Sequence, residues 1–212
     1  MKLISTLLSL LVAASVAPAA AQMPSSLSWE IGPFVRGRNY SEGMPLHPTP
    51  APAGAVTFDF PVAGRGQIDA MTTAVRPLAG AREITMRYRI DAAPDVRFVP
   101  DEAPAEPATI SVYFQQSGDD WSGVGRYETY RWYSPAETVT PLAPGEHTVT
   151  MLLSGPWIDV NGKTTAERPQ GFAAALATTS RIGLAFGSPS LRSHGVYATA
   201  PARFTLLALA IE

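Results

Sequence analysis

The sequence predicts an all-β protein, because three observations agree. Ten apolar or alternating segments follow one another at regular spacing, 20 prolines and 17 glycines punctuate the chain, and a single segment has a helical composition. Without alternation of strands and helices, a parallel α/β sheet is disfavoured. We therefore expect a two-sheet β-sandwich of the jelly-roll type, with one short helix near residues 169–178.

The strands are predicted from apolar runs bounded by turn residues. The clearest is Ile84–Ile90, where every even position is apolar or aromatic and every odd position is polar. Ile110, Val112 and Phe114 share one face in the same way. In chain order the predicted strands are Trp29–Val35, Ala55–Phe60, Gln67–Arg76, Glu83–Asp91, Thr109–Gln116, Tyr127–Tyr133, His147–Leu153, Trp157–Val160, Arg181–Phe186 and Ala202–Ile211.

The remaining segments predict turns, one helix and two loops. Asn161-Gly162 follows a predicted strand and is a hairpin signal, because both residue types tolerate a positive φ. Proline at a first turn followed by alanines favours a helix over Pro169–Thr178. The proline-rich segment Met44–Gly54 predicts an extended loop. Asp91–Ala108 is acidic and proline-rich, and a loop of that length is typical of an insertion or a functional rim.

The N-terminus has the three parts of a secretory signal peptide. Lys2 supplies the positive start, Leu3–Val12 is apolar, and small residues end at Ala21. We expect cleavage before Gln22, which leaves a single β-sandwich domain over residues 22–212. A permanent membrane anchor is the alternative, but Pro18 and the alanines shorten the apolar run below the ~20 residues that a span needs. The expected location is the periplasm or the extracellular space, with no membrane span after cleavage.

Composition excludes several classes of function. The chain has no cysteine, which excludes disulfides, thiolate metal sites and a lipidated N-terminal cysteine. A formal net charge of −2 and the lack of a basic cluster exclude a surface that binds nucleic acid. Nothing in the sequence predicts a cofactor or a metal site.

The period-2 alternation also predicts a polar face. If the apolar residues point inward, Arg87, Arg89, Tyr113 and Gln115 point outward. In the predicted strand Tyr127–Tyr133, burial of the tyrosine and tryptophan at 130 and 132 would expose the arginine and tyrosine at 131 and 133. If these strands are neighbours in one sheet, they form one exposed surface.

Such a surface suits a saccharide. A pyranose stacks its C–H face on an aromatic ring, and planar arginine, glutamine or carboxylate groups bind its hydroxyls. The loop Gln116–Gly123 adds two carboxylates and an indole at the edge of this face. A solvated sheet face with ordinary β-forming tyrosines is the alternative. The predicted ligand-binding residues, with a histidine from a later loop, are Arg87, Arg89, Tyr113, Gln115, Asp119, Trp121, Arg131, Tyr133 and His194.

Motifs for metal binding and catalysis are absent from the sequence. Asp119-Asp120 offers oxygen ligands for calcium, but without a D-x-D-x-D-G pattern a turn is the stronger interpretation. No G-x-S-x-G, H-E-x-x-H or phosphate-binding loop occurs, so the catalytic residues are unknown. A polysaccharide hydrolase or lyase remains open, with Glu128 and the two aspartates, or Tyr133 with His194, as its groups.

Two segments resemble known proteins. Ile110–Tyr133 and Arg181–Ile211 resemble parts of uncharacterised secreted proteobacterial proteins that look like carbohydrate-binding or concanavalin-like jelly-roll modules. The resemblance implies a sandwich fold and a glycan or cell-envelope polymer as ligand, and it assigns no residue a role. A structural or interaction protein of the envelope without a small ligand is the third possibility.

Overall fold

The structure is a computed structural model, and it describes residues 26–212. The predicted signal peptide, residues 1–21, lies outside the described residues. The predicted all-β sandwich is confirmed, because the two main sheets are antiparallel and contain seven and five strands.

Sixteen strands and one α-helix make up the described part of the chain. Short 3-10 helices cover Ser26–Ser28, Pro52–Gly54, Gly125–Thr129 and Ala136–Thr138, and the α-helix α1 covers Pro169–Ala177. In chain order the strands are β1 (Trp29–Gly32), β2 (Phe34–Val35), β3 (Arg38–Asn39), β4 (Thr49–Pro50), β5 (Val56–Asp59), β6 (Ala70–Ala74), β7 (Glu83–Ala92), β8 (Phe98–Pro100), β9 (Thr109–Gln116), β10 (Arg131–Tyr133), β11 (Thr140–Pro141), β12 (Gly145–Leu152), β13 (Ile158–Asp159), β14 (Thr179–Gly187), β15 (Val196–Ala198) and β16 (Ala202–Ile211).

The chain passes repeatedly between the two main sheets. The seven-stranded sheet has the order β1-β6-β14-β9-β10-β13, with β11 paired to β9. The five-stranded sheet has the order β12-β7-β16-β5-β4. Two small ribbons, β8 with β15 and β2 with β3, lie outside these sheets. Because β5, β7, β12 and β16 alternate along the chain with strands of the other sheet, the sheets fold together as a jelly-roll sandwich.

The main hydrophobic core lies between the sheets. Phe186 of the seven-stranded sheet contacts Phe58 and Phe204 of the five-stranded sheet, with ring centroids 5.7 and 5.6 Å apart. The alternating apolar residues Ile84, Met86, Tyr88 and Ile90 are all buried in this core, as the sequence predicts. Removal of this apolar area from water is the main contribution to the stability of the sandwich.

One predicted strand is wrong over half of its length. Residues 125–129 form a 3-10 helix, and only Arg131–Tyr133 pairs with β9. Gly125, just before the predicted strand, has φ +61°, a left-handed conformation, and the Tyr127 amide donates to the Val124 carbonyl at 3.2 Å. The carbonyl of Thr129 then accepts hydrogen bonds from Gln116 Nε2 at 3.0 Å and Trp132 Nε1 at 2.9 Å. These bonds fix the turn into β10.

The predicted turn and helix are confirmed. Gly162 has φ +74° between β13 and Thr164, which forms a bridge to Ile158. Helix α1 covers all but the last residue of its predicted range. The loop over residues 91–108 contains β8, whose pairing with β15 holds this segment beside the loop that carries His194. None of the helices in residues 26–212 is long and apolar enough to cross a membrane.

Candidate functional site

Four of the predicted ligand-binding residues share the outer face of the seven-stranded sheet. In the antiparallel register, Arg131 lies opposite Gln115, and Tyr133 lies opposite Tyr113. These side chains point away from the main core; Tyr113 and Tyr133 form a second small hydrophobic cluster with Ala70 and Ala185, and Gln115 and Arg131 both donate to Asp119. The side-chain parity predicted from the sequence is therefore correct for β9 and β10.

The predicted exposure of this face is wrong. Tyr113, Gln115, Arg131 and Tyr133 are all buried. The loop of residues 117–124 folds back over the sheet and places Trp121 against Tyr113, with ring centroids 5.6 Å apart. The alternation of polar and apolar residues predicts the side of a sheet on which a residue lies. It does not predict whether a loop covers that side.

A hydrogen-bonded network fixes Trp121 in place. Arg131 Nη1 donates to Asp119 Oδ2 at 2.7 Å, and Gln115 Nε2 donates to the same oxygen at 3.0 Å. Arg131 Nε also donates to the Tyr133 hydroxyl at 3.0 Å. The guanidinium carbon lies 4.0 Å from the centroid of the Trp121 ring, a close cation–π contact. The half-buried indole is thus held rigidly by buried, charge-assisted contacts.

Two predicted residues lie elsewhere. Arg87 and Arg89 belong to β7 in the five-stranded sheet, so they are on the opposite side of the sandwich from Trp121. Arg87 pairs with Glu146 at 3.6 Å, and Arg89 pairs with Asp91 at 3.0 Å. The predicted single surface across all three strands is wrong, because β7 is not in the sheet of β9 and β10.

Two adjoining depressions, of about 350 and 420 Å³, lie over the outer face of the seven-stranded sheet. We call them together the outer-face cleft. Of the predicted residues, Gln115 and Asp119 line a third depression of about 290 Å³ that also reaches Trp121. The residues common to both parts of the outer-face cleft are Trp121, Ser122, Arg131, Tyr133, Arg192 and His194.

Arg192 and His194 form the wall opposite the 117–124 loop. Arg192 Nη1 donates to the carbonyl of Ser134 at 2.5 Å, and no carboxylate in residues 26–212 pairs with this guanidinium. Burial lowers the pKa of Arg192. His194 Nδ1 lies 3.1 Å from Glu102 Oε2. The wall therefore presents an arginine without an acidic partner beside an imidazole–carboxylate pair.

Backbone strain is concentrated around this cleft. Four non-glycine residues in the described range have a positive φ, and three of them, Arg36, Trp121 and Ser193, line the 350 Å³ depression. Each such residue costs of order 1–3 kcal/mol, and such strain clusters at functional sites. The buried Ser193 hydroxyl also has no hydrogen-bond partner in the described part of the chain. The position of Trp121 is thus maintained against a local conformational preference.

Three acidic residues of the cleft are not among the predicted site residues: Asp69, Glu102 and Asp159, the last of which lines the 420 Å³ depression. Asp69 precedes β6, is 4% exposed and lines the 350 Å³ depression. Glu102 lines the same depression from the loop of residues 91–108. The only signals in the sequence are that Asp69 lies between two apolar residues of a predicted strand and that Glu102 lies in the predicted functional rim, and neither indicates that the two meet.

The Asp119-Asp120 pair forms a turn. Asp119 Oδ1 accepts from the Trp121 amide at 3.1 Å, and Asp120 Oδ1 accepts from the Ser122 amide at 2.9 Å. Both carboxylates therefore shape the 117–124 loop, as expected of turn residues. Within residues 26–212, no group of three or more histidine, aspartate or glutamate side chains is arranged to hold a metal ion.

Comparisons with known proteins give distant structural similarities. No protein-family model matches the chain, and no curated protein matches it. A solved structure titled for endo-acting O-glycanases that human gut microbiota express to initiate mucin breakdown aligns with 92% of this chain and 95% of its own, at 9% identity and a TM-score of 0.43. A structure of Cocksfoot mottle virus aligns with 98% of this chain and 97% of its own, at 12% identity and a TM-score of 0.18. These values support no functional argument.

Proposed function

We propose that this is an exported protein that binds a glycan or another cell-envelope polymer in the outer-face cleft. The observation that carries the proposal is the rigid, half-buried Trp121 above the Arg131–Asp119 pair, in a depression bordered by charged and phenolic side chains. The composition of the site matches the chemistry of a sugar ring, which has apolar C–H faces and a hydroxyl rim.

The network beneath Trp121 favours binding because it reduces the entropy cost. An aromatic side chain that is already ordered loses little freedom when a ligand stacks on it. Arg131, in contrast, already donates to Asp119, Tyr133 and the Trp121 carbonyl, and its side chain is 5% exposed. We therefore assign stacking to Trp121, polar contacts to Arg192 and His194, and support of the indole to Arg131.

The size of the site suits a short oligosaccharide segment. Ligand sites typically have volumes of about 300–1,000 Å³. The two parts of the outer-face cleft, about 350 and 420 Å³, fall in this range and share the Trp121 side chain. A polymer that crosses the cleft would contact the 117–124 loop on one side and the 189–194 segment on the other.

The test is a glycan array with the purified protein, followed by calorimetry on the glycans that it captures. We expect Trp121→Ala to weaken binding at least tenfold, about 1.4 kcal/mol, because the stacking surface is lost. The matched control is Tyr127→Ala, which removes another half-buried aromatic ring outside the cleft and should leave the affinity unchanged. Equal effects of the two variants, or a blank array with a protein recovered in pull-downs, would contradict the proposal.

A further inference from the structure

The proposed binding of saccharides leaves one buried acid of the cleft without a role. The backbone of Asp69 is fixed on both sides, since its amide donates to Ser41 Oγ at 2.8 Å and its carbonyl accepts from the Phe186 amide at 2.8 Å. Its Oδ1 accepts a hydrogen bond from Gln67 Nε2 at 3.1 Å. The carboxyl group is therefore held in a defined position in the wall of the 350 Å³ depression.

Asp69 differs from the other buried acids in the described residues. Asp119 pairs with Arg131 at 2.7 Å, and Asp159 pairs with Arg168 at 3.2 Å, whereas no cation lies within ion-pair distance of Asp69. A buried carboxyl without a cation favours its neutral, proton-carrying form. The pKa of Asp69 is raised to about 8, mainly by burial; the Gln67 hydrogen bond lowers it, and the negative charges of Glu102, Asp101 and Glu42 raise it. The charged groups that act on it or share its depression are Glu42, Asp101, Glu102, Asp120, Arg36, Arg131, Arg192 and His194.

Glu102 has the opposite environment in the same depression. Its side chain is 56% exposed, and His194 orients it through the 3.1 Å contact between Nδ1 and Oε2. The depression thus combines a buried carboxyl group that has no cation with an exposed carboxyl group, and acid–base hydrolysis of a glycosidic bond uses two carboxyl groups in different environments. The strained residues Arg36, Trp121 and Ser193 surround the same depression, as expected for a catalytic centre.

We propose that the outer-face cleft hydrolyses a glycosidic bond of the polymer it binds, with Asp69 as general acid and Glu102 as general base. The Asp69 proton passes to the leaving glycosidic oxygen as the bond from that oxygen to the anomeric carbon breaks. A water molecule attacks the anomeric carbon, and Glu102 accepts the proton of that water. Solvent then returns a proton to Asp69 and takes one from Glu102, so that one water is consumed for each bond cleaved.

The inference rests on the proposed saccharide binding, and the experiment separates the two. Glycans captured on the array, together with a panel of envelope polysaccharides, are incubated with the purified protein, and new reducing ends are measured. We expect Asp69→Asn and Glu102→Gln each to lower kcat at least about 100-fold, within the usual contribution of a general acid or base. The affinity for the captured glycan should change less than threefold in both variants.

Two controls make this loss specific. Asp59→Asn alters an acid on the five-stranded sheet, and Glu137→Gln alters an exposed acid in the 3-10 helix at 136–138, so both should keep the wild-type rate. Glu102 is exposed, so Glu102→Gln should fold even if Asp69→Asn does not. The wild-type rate should fall above about pH 8, as Asp69 loses its proton.

Each other outcome overturns a stated part of the argument. If captured glycan remains intact, hydrolysis is wrong and the binding proposal stands. If no glycan is captured and no polysaccharide gives reducing ends, both proposals are wrong. An unsaturated product, detected by the ultraviolet absorbance of its double bond, would replace hydrolysis with elimination, and a product of retained anomeric configuration would overturn the role of Glu102 as base.

Discussion

The two outer faces of the sandwich use arginine in opposite ways. On the five-stranded sheet, Arg87, Arg89 and Arg203 are roughly half exposed, and each pairs with an acid at the surface. On the seven-stranded sheet, the Arg131 side chain is 5% exposed and pairs with Asp119, whose side chain is fully buried. Only the second arrangement fixes an aromatic ring above it.

Alternation of polar and apolar residues alone does not define a binding surface. Both faces have the same pattern of polar residues facing away from the core. On the seven-stranded sheet, the loop of residues 117–124 covers these side chains, so that they form a buried network beneath the cleft. Surface ion pairs contribute little to stability, whereas breaking a buried pair leaves an uncompensated charge. The two faces should therefore respond very differently to the same substitution.

The largest loss of stability is expected for Arg131→Met. The substitution leaves the buried Asp119 carboxylate without its cation, which should cost about 3–5 kcal/mol. For a chain of this size, the melting temperature should fall by about 10 °C in a thermal scan. The double variant Arg131→Met with Asp119→Asn should recover part of this loss. If the double variant is no more stable than the single one, the buried pair is not the cause.

A smaller change in stability, and a gain rather than a loss, is expected for Asp69→Asn at pH 8. The pKa of Asp69 is about 8 in the folded protein, against about 3.9 when unfolded, so the folded state binds more protons between these values. Stability that is present at low pH is therefore lost as the pH rises through this window. Because asparagine removes this loss, the melting temperature of the variant at pH 8 should exceed that of the wild type by at least ~3 °C, and the two should agree near pH 4.

The matched control for this prediction is Asp119→Asn. Both residues are buried acids of the same region, but Asp119 has an arginine partner and Asp69 does not. Burial raises the pKa of Asp119 as well, but Asp119→Asn leaves the buried Arg131 guanidinium without its carboxylate, so it should lower the melting temperature at pH 8, where Asp69→Asn raises it. The same sign for both variants would show that the missing cation at Asp69 has no energetic consequence.

The smallest effect is expected for Arg203→Met on the five-stranded sheet. Arg203 Nε lies 2.7 Å from Asp59 Oδ1, but both side chains are more than half exposed and solvent screens the pair. The melting temperature should change by less than about 2 °C. A loss as large as that of Arg131→Met would remove the distinction between the two faces.

The sequence predicts the sandwich well because its strands have local signals. Ile84–Ile90 alternates cleanly, and the structure places its apolar residues in the core. The segment at 127–133 fails because tyrosine and threonine favour strands locally, while Gly125 and the Thr129 carbonyl impose a 3-10 turn. Short strands such as β8 and β15 have no alternation to detect, and each depends on its distant partner.

The candidate site is predicted only in part, for a related reason. Trp121, Arg131, Tyr133 and His194 line the cleft, and all four are among the ligand-binding residues that the sequence predicts. Asp69 and Glu102 are 33 residues apart in the sequence and come together through strand pairing and loop packing. Arg87 was assigned to the wrong surface because alternation does not report which sheet a strand joins.

The cleft is built partly from a strand and partly from connecting segments, and these two parts tolerate sequence change differently. Arg131 and Tyr133 come from a strand, whereas Arg36, Glu102 and Trp121 come from connecting segments outside the main hydrophobic core. Insertions and deletions are tolerated in such connections far better than in strands. Changes in loop length can therefore alter the walls of the cleft while the folding of the scaffold remains largely unaffected.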